Sequence, residues 1–105
     1  MTIDNTFSWP GYHPEEAVHR LIAAYLTIDI QQNIKETRAL LRKIDAVGAR
    51  KIPNWERIGN AYFLRVYPEY VQIEEEFSDE VDLPEKIPLP LFKSALLSWQ
   101  KHIST

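Results

Sequence analysis

The chain contains no cysteine and only three glycines. The first absence excludes disulfides and thiolate metal sites. The second leaves no glycine-rich phosphate loop, and no nucleophile elbow occurs either. No apolar run approaches the roughly 20 residues of a membrane-spanning helix. Three histidines are present, at 13, 19 and 102. The gap of six between His13 and His19 is not the three or four that would set two metal ligands on one helical face. The expectation is a protein that is not an enzyme and carries no cofactor and no metal. The first residues, MTIDNTFSWPGYH, have neither a basic start nor a long apolar run. No signal peptide is expected, and the protein reads as soluble and cytoplasmic.

What is present is ordinary in bulk and uneven in detail. With 105 residues, 45% of them hydrophobic and 26% charged, the chain is sized for a single domain, residues 1–105. Residues 1–13 form an N-terminal arm bearing Phe7, Trp9 and Tyr12. The net charge of −3 conceals a segregated pattern: residues 1–34 balance to −3, residues 35–65 to +5 and residues 66–105 to −5. Such asymmetry serves either internal complementarity or partner surfaces of opposite sign.

Hydrophobic periodicity divides the chain in two. Pro14, Glu15 and Glu16 read as the first turn of a helix carrying Val18, Leu21, Ile22 and Tyr25 at helical spacing. Asp29 followed by Gln32 resembles a capping box that starts a second helix. That helix has a stripe of Ile30, Ile34, Thr37, Leu41 and Ile44, and Gly48 is placed to end it. After Pro53 the period changes to two. Trp55–Ile58, Ala61–Val66 and Val71–Phe77 read as an antiparallel meander with turns at Gly59-Asn60 and Tyr67–Tyr70. A last helix carries Phe92, Ala95, Leu96, Trp99 and Ile103 on one face. The expected order is ααβββα, an α+β domain in which two N-terminal helices and a C-terminal helix cover a three-stranded sheet. Trp55, Leu64, Ile73, Leu96 and Trp99 are expected in its core.

Counting outward from the two turns sets Trp55 beside Leu64 and Leu64 beside Ile73. It also lines up Arg57, Tyr62 and Glu75 across the sheet, which serves either as a site or, more commonly, as a polar end to the core. The other face brings Arg65 diagonally near Glu74, a pair worth about 0.2–1 kcal/mol.

From Glu74 to Lys86 the chain has seven carboxylates and one lysine. Glu74 and Glu76 alternate outward, Glu75 points to the helix side, and Asp79, Glu80 and Asp82 continue the acidic line. Phe77, Val81 and Leu83 lie between these acids. Two readings stand: a solvated loop, or a protein-binding edge in which the apolar groups anchor and the acids steer. In the second, Glu74, Glu76, Phe77, Asp79, Glu80 and Asp82 contact the partner. A stripe of Lys35, Arg38 and Arg42, with Lys43 nearby, suits phosphate, but no nucleic-acid-binding signature accompanies it, so no nucleic acid is expected and a solvated helix face is the simpler reading.

The run WERIGNAYFLRVYPEYVQIEEEFSDE, followed by LPLFKSALLSWQKHI, resembles the small immunity proteins of bacterial polymorphic-toxin and contact-dependent growth inhibition systems. There a meander with an Ile-Gly-Asn turn and an acidic third strand precedes a Leu-Pro-Leu helix ending near a Trp. The likeness covers about residues 55–103. It implies a cytoplasmic protein without catalysis that binds and neutralises a cognate toxin nuclease domain. The alternative is a structural or regulatory protein-interaction module.

Overall fold

In a computed structural model, which describes residues 7–75 and 84–104, an arm with Phe7 and Trp9 buried leads into a helix, α1 (Ala17–Tyr25). The helix starts later than the Pro14 first turn expected from sequence. The Glu16 N–H closes a turn on the His13 carbonyl at 2.9 Å, and the Pro14 carbonyl accepts from the Arg20 side chain. The helical ladder therefore opens at the Glu16 carbonyl, which accepts from the Arg20 N–H. α1 runs on without a break into a π-helical turn, Leu26–Ile30, closed by the Gln31 N–H on the Leu26 carbonyl at 2.7 Å. The wider turn swings Asp29 inward, where it is 5% exposed. Asp29 is thus not the cap of the next helix.

That role falls to Asn33, whose Oδ1 accepts from the Glu36 N–H at 3.1 Å at the start of α2 (Ile34–Gly48). The buried stripe of α2 is Thr37, Leu40, Ile44 and Val47, one position round from the expected one at Leu40. Gly48 is the last helical residue, not the left-handed one. Arg50 takes the left-handed conformation, φ 60, and the Lys51 and Arg50 amides return to the Ala46 and Val47 carbonyls. Gly48 serves packing instead: a Cβ there would come 3.2 Å from Leu89 Cδ2.

The sheet has four antiparallel strands in sequence order, β1 (Trp55–Ile58), β2 (Tyr62–Val66), β3 (Tyr70–Glu75) and β4 (Ile87–Pro88). The fourth was not expected. It is two residues long and pairs Val71 with Ile87 and Tyr70 with Pro88, where a proline at the sheet edge forfeits no inner ladder bond. Between β2 and β3 the register is the expected one, Val66 opposite Val71 and Leu64 opposite Ile73. Between β1 and β2 it is shifted by two residues: Trp55 faces Val66, and Arg57 faces Leu64. A shift of two keeps every side chain on its face while moving it one row along the sheet. Trp55 consequently ends at the margin and is half-buried, not in the core.

The inner face of the sheet, Tyr62, Leu64, Val66, Val71, Ile73 and Ile87, is buried under the helices. α3 (Leu89–Ile103) crosses it with Phe92, Ala95, Leu96 and Trp99 inward. Trp99 Nε1 donates to the Gln31 carbonyl at 2.9 Å, tying α3 to the break between the first helices. The α+β class and the C-terminal helix stand as expected. The helical half and the strand count differ in detail.

Candidate protein-binding surface

Strand alternation puts Glu56 and Ile58 of β1, Phe63 and Arg65 of β2, and Tyr70, Gln72 and Glu74 of β3 on the face away from the helices. None of these residues is buried, so among the described residues that face is partly open to solvent. At its centre the Arg65 guanidinium lies 4.3 Å from the Phe63 ring centroid. It donates to Glu74 Oε1 at 3.0 Å and sits 3.7 Å from Glu56 Oε2. One cation on the middle strand thus holds a carboxylate from each neighbouring strand. Beside it Ile58, opposite Phe63, is 72% exposed, the largest exposure among the bulky apolar residues described. Further along, Lys86 Nζ stands 4.9 Å over the Tyr70 ring, and Gln72 Nε2 donates to the Pro84 carbonyl.

Of the six residues assigned to partner binding from sequence, the structure places Glu74 on this open face, paired with Arg65 as expected. Glu76, Phe77, Asp79, Glu80 and Asp82 lie outside the described residues. Ile58 was missed. The signal was legible, since an isoleucine two residues on from Glu56 must share its outward face.

The row of Arg57, Tyr62 and Glu75 is broken by the register shift. Tyr62 still faces Glu75, but Arg57 sits opposite Leu64. Its guanidinium turns to the helices, 3.8 Å from Glu36 and against the hydroxyl of Tyr25. Neither Tyr25 Oη nor Arg57 Nη1 makes a hydrogen bond of good geometry. Burial holds the Tyr25 phenol neutral far above its ordinary range, against an opposing pull from Arg57. Tyr62 is shifted the same way by burial, then by Glu75 and Asp29. Asp29 completes the cluster by accepting from the Ala61 N–H at 2.9 Å and the Tyr62 N–H at 3.0 Å. Each of its oxygens thus accepts from one backbone amide of the hairpin.

Lys35, Arg38, Arg42 and Lys43 are all exposed on α2. Among the described residues no group of three or more His, Asp or Glu side chains is placed to hold a metal ion, and no helix is long and apolar enough to cross a membrane. Compared with protein-family models, curated proteins and solved structures, the chain matches none of them.

Proposed function

We propose that the protein is an immunity protein, a cytoplasmic inhibitor without catalysis that docks through its open sheet face and the acidic segment after it onto a cationic bacterial toxin domain, a nuclease. The observation that carries this reading is the open face itself. Its central arginine is already neutralised by Glu56 and Glu74, and β3 leads directly into the acids of residues 76–82. A surface of this kind offers exposed apolar area at Ile58, and the sequence after β3 carries surplus negative charge. A nuclease presents a cationic cleft to the phosphate backbone, and clustered carboxylates compete for the same field. Complementary charge raises association toward about 10⁸–10⁹ M⁻¹s⁻¹ at low salt. Desolvated apolar contacts supply most of the affinity.

The test is a titration of the toxin domain encoded beside the gene with three forms of the protein at two salt concentrations. Reversing Glu76, Asp79 and Glu80 together to lysine should leave the melting temperature nearly unchanged and slow association by roughly tenfold or more at low salt. Ile58→Ser should instead speed dissociation. Equal affinity in all three forms, without salt dependence, overturns the reading.

A further inference from the structure

Two of the three histidines, His19 and His102, lie against the N-terminal arm that carries the third, His13, and His19 is joined to it in a way that only a neutral imidazole permits. His19, on α1, is 6% exposed. Its Nδ1 accepts from the backbone N–H of His13 at 2.9 Å, so that nitrogen is bare and the ring proton resides on Nε2, 3.5 Å from Glu16 Oε2. The arm closes over the same ring. Trp9, Tyr12 and His13 stand with their centroids 5.6, 6.0 and 5.6 Å from that of His19. At its other end Phe7 packs edge-on against Trp99 at 5.0 Å and lies 5.5 Å from the His102 ring. Phe7 and Tyr12 form one wall of an open groove of about 530 Å³, whose other wall is Arg20, Ala24 and Ile28.

We propose that the arm is an acid-released strap: protonation of His19 at Nδ1 breaks its bond to the His13 amide and frees residues 7–13 from α1 and α3, removing the wall of the groove. The docked arm leaves Nδ1 no room for a proton, because the His13 N–H already points at it. Two donors facing each other at that distance repel. The released arm exposes Nδ1 to water, where it binds a proton. Release therefore takes up a proton, and linkage requires the docked fraction to fall as pH falls through the imidazole range.

The surrounding charges set how sharp the response is. On α1, Glu16 attracts a protonated His19 across 3.5 Å, while the Arg20 side chain is engaged with the Pro14 carbonyl. On the arm, the His13 ring stands 5.6 Å from that of His19, and Glu15 lies 3.4 Å from His13 Nδ1. On α3, the His102 ring lies 5.5 Å from those of both Phe7 and Trp99. The lost amide bond opposes the attraction of Glu16 and sets the sign. The inference stands apart from the toxin-binding reading, since it concerns the opposite layer of the molecule.

The experiment is an NMR titration of the full chain from about pH 8 to about pH 5, spanning the imidazole range. It follows the His19 ring protons, the His13 amide and the Trp9 indole N–H. The expected result is one shared midpoint for all three, with loss of the dispersed Trp9 and His13 signals at the acid end. H19N keeps an acceptor at the position of Nδ1 but does not titrate, so its arm should stay docked across the whole range. H13Q and H102Q should retain the transition. Arm signals that stay constant while the His19 ring titrates overturn the proposal, as does an unaltered transition in H19N or one abolished in H102Q alone. Should H19N not fold, the agreement or disagreement of midpoints in the unmodified chain decides by itself.

Discussion

At the scale of single residues, the most consequential group is Asp29. Its carboxylate satisfies two backbone donors of the first hairpin, and the close approach dictates what can stand opposite. A Cβ on Gly59 would lie 2.0 Å from Asp29 Oδ2, so the glycine is there for space and not for a positive φ. Asp29→Ala strands the Ala61 and Tyr62 amides and should cost roughly 2–4 kcal/mol in denaturant unfolding. Gly59→Ala alone should cost about 1–3 kcal/mol through overpacking. On the Asp29→Ala background that second cost should shrink, leaving only the approach of Arg57 Nη1 at 2.9 Å, a coupling that a double-mutant cycle reads directly. Additive effects would mean that the two residues do not share the space. The buried phenols give a separate expectation. Tyr25 and Tyr62 are both pushed above their ordinary range, first by burial, whereas in the unfolded chain they ionise near about pH 10. Their contribution is therefore complete below about pH 10 and is lost as pH rises further, because the unfolded chain releases its phenolic protons first. Melting temperature should be flat from about pH 8 to about pH 9.5 and should fall above about pH 10, as phenolate absorbance rises. Tyr25→Phe, which removes a hydroxyl lacking a hydrogen bond, should change stability little at neutral pH and make the alkaline decline shallower.

At the scale of elements, the ends of α2 show how a helix is bounded by its own chain. Asn33 caps the start through the Glu36 amide, and a glutamate at that third position also suits the positive end of the helix dipole. Asn33→Ala should lower stability by about 1 kcal/mol without altering the fold, measured by chemical denaturation with circular dichroism. At the other end Arg50 adopts the left-handed conformation in place of a glycine, a strained choice for a residue with a Cβ. The sheet is bounded differently. β1 and β4 are edges, and both are short, which limits pairing with other chains. The outward carboxylates of β1 and β3 meet on Arg65, a half-exposed pairing of modest energy, so Glu74 serves the open face more as a placed charge than as a stabiliser.

At the scale of the whole molecule, the helical layer and the sheet meet in one core, and its centre is where truncation should hurt most. Phe92 is fully buried between the sheet and Tyr25, with ring centroids 6.1 Å apart. Phe92→Ala should cost about 3–5 kcal/mol, a large part of the stability of a domain this size, and should show as a steep fall in the denaturant midpoint. Periodicity in the sequence was enough to determine the α+β class, the strands Trp55–Ile58 and Val71 onward, the inward face of α3 and the Arg65–Glu74 pair, since a period of two or 3.6 is imposed locally by the backbone. The register of β2 on β3 was legible for the same reason, as the turn between them fixes it. The acidic segment was legible as composition, and the open sheet face beside it could be read from alternation once the strands were known. Other features were decided only by tertiary structure. A capping pattern at Asp29 gave way to a π-helical turn because a carboxylate buried against the hairpin satisfies two amides there instead of one at a helix start. β1 likewise pairs two residues along from the turn-based count, which takes Arg57 from the row of Tyr62 to the side of Tyr25. The arm joined the core because Trp99 and His19 offered it aromatic surface from elements distant in sequence, and β4 formed because α3 brings Ile87 back beside Val71. Each of these outcomes depends on groups far apart along the chain competing for one hydrogen-bond donor or one buried surface, and no local pattern records which of them prevails.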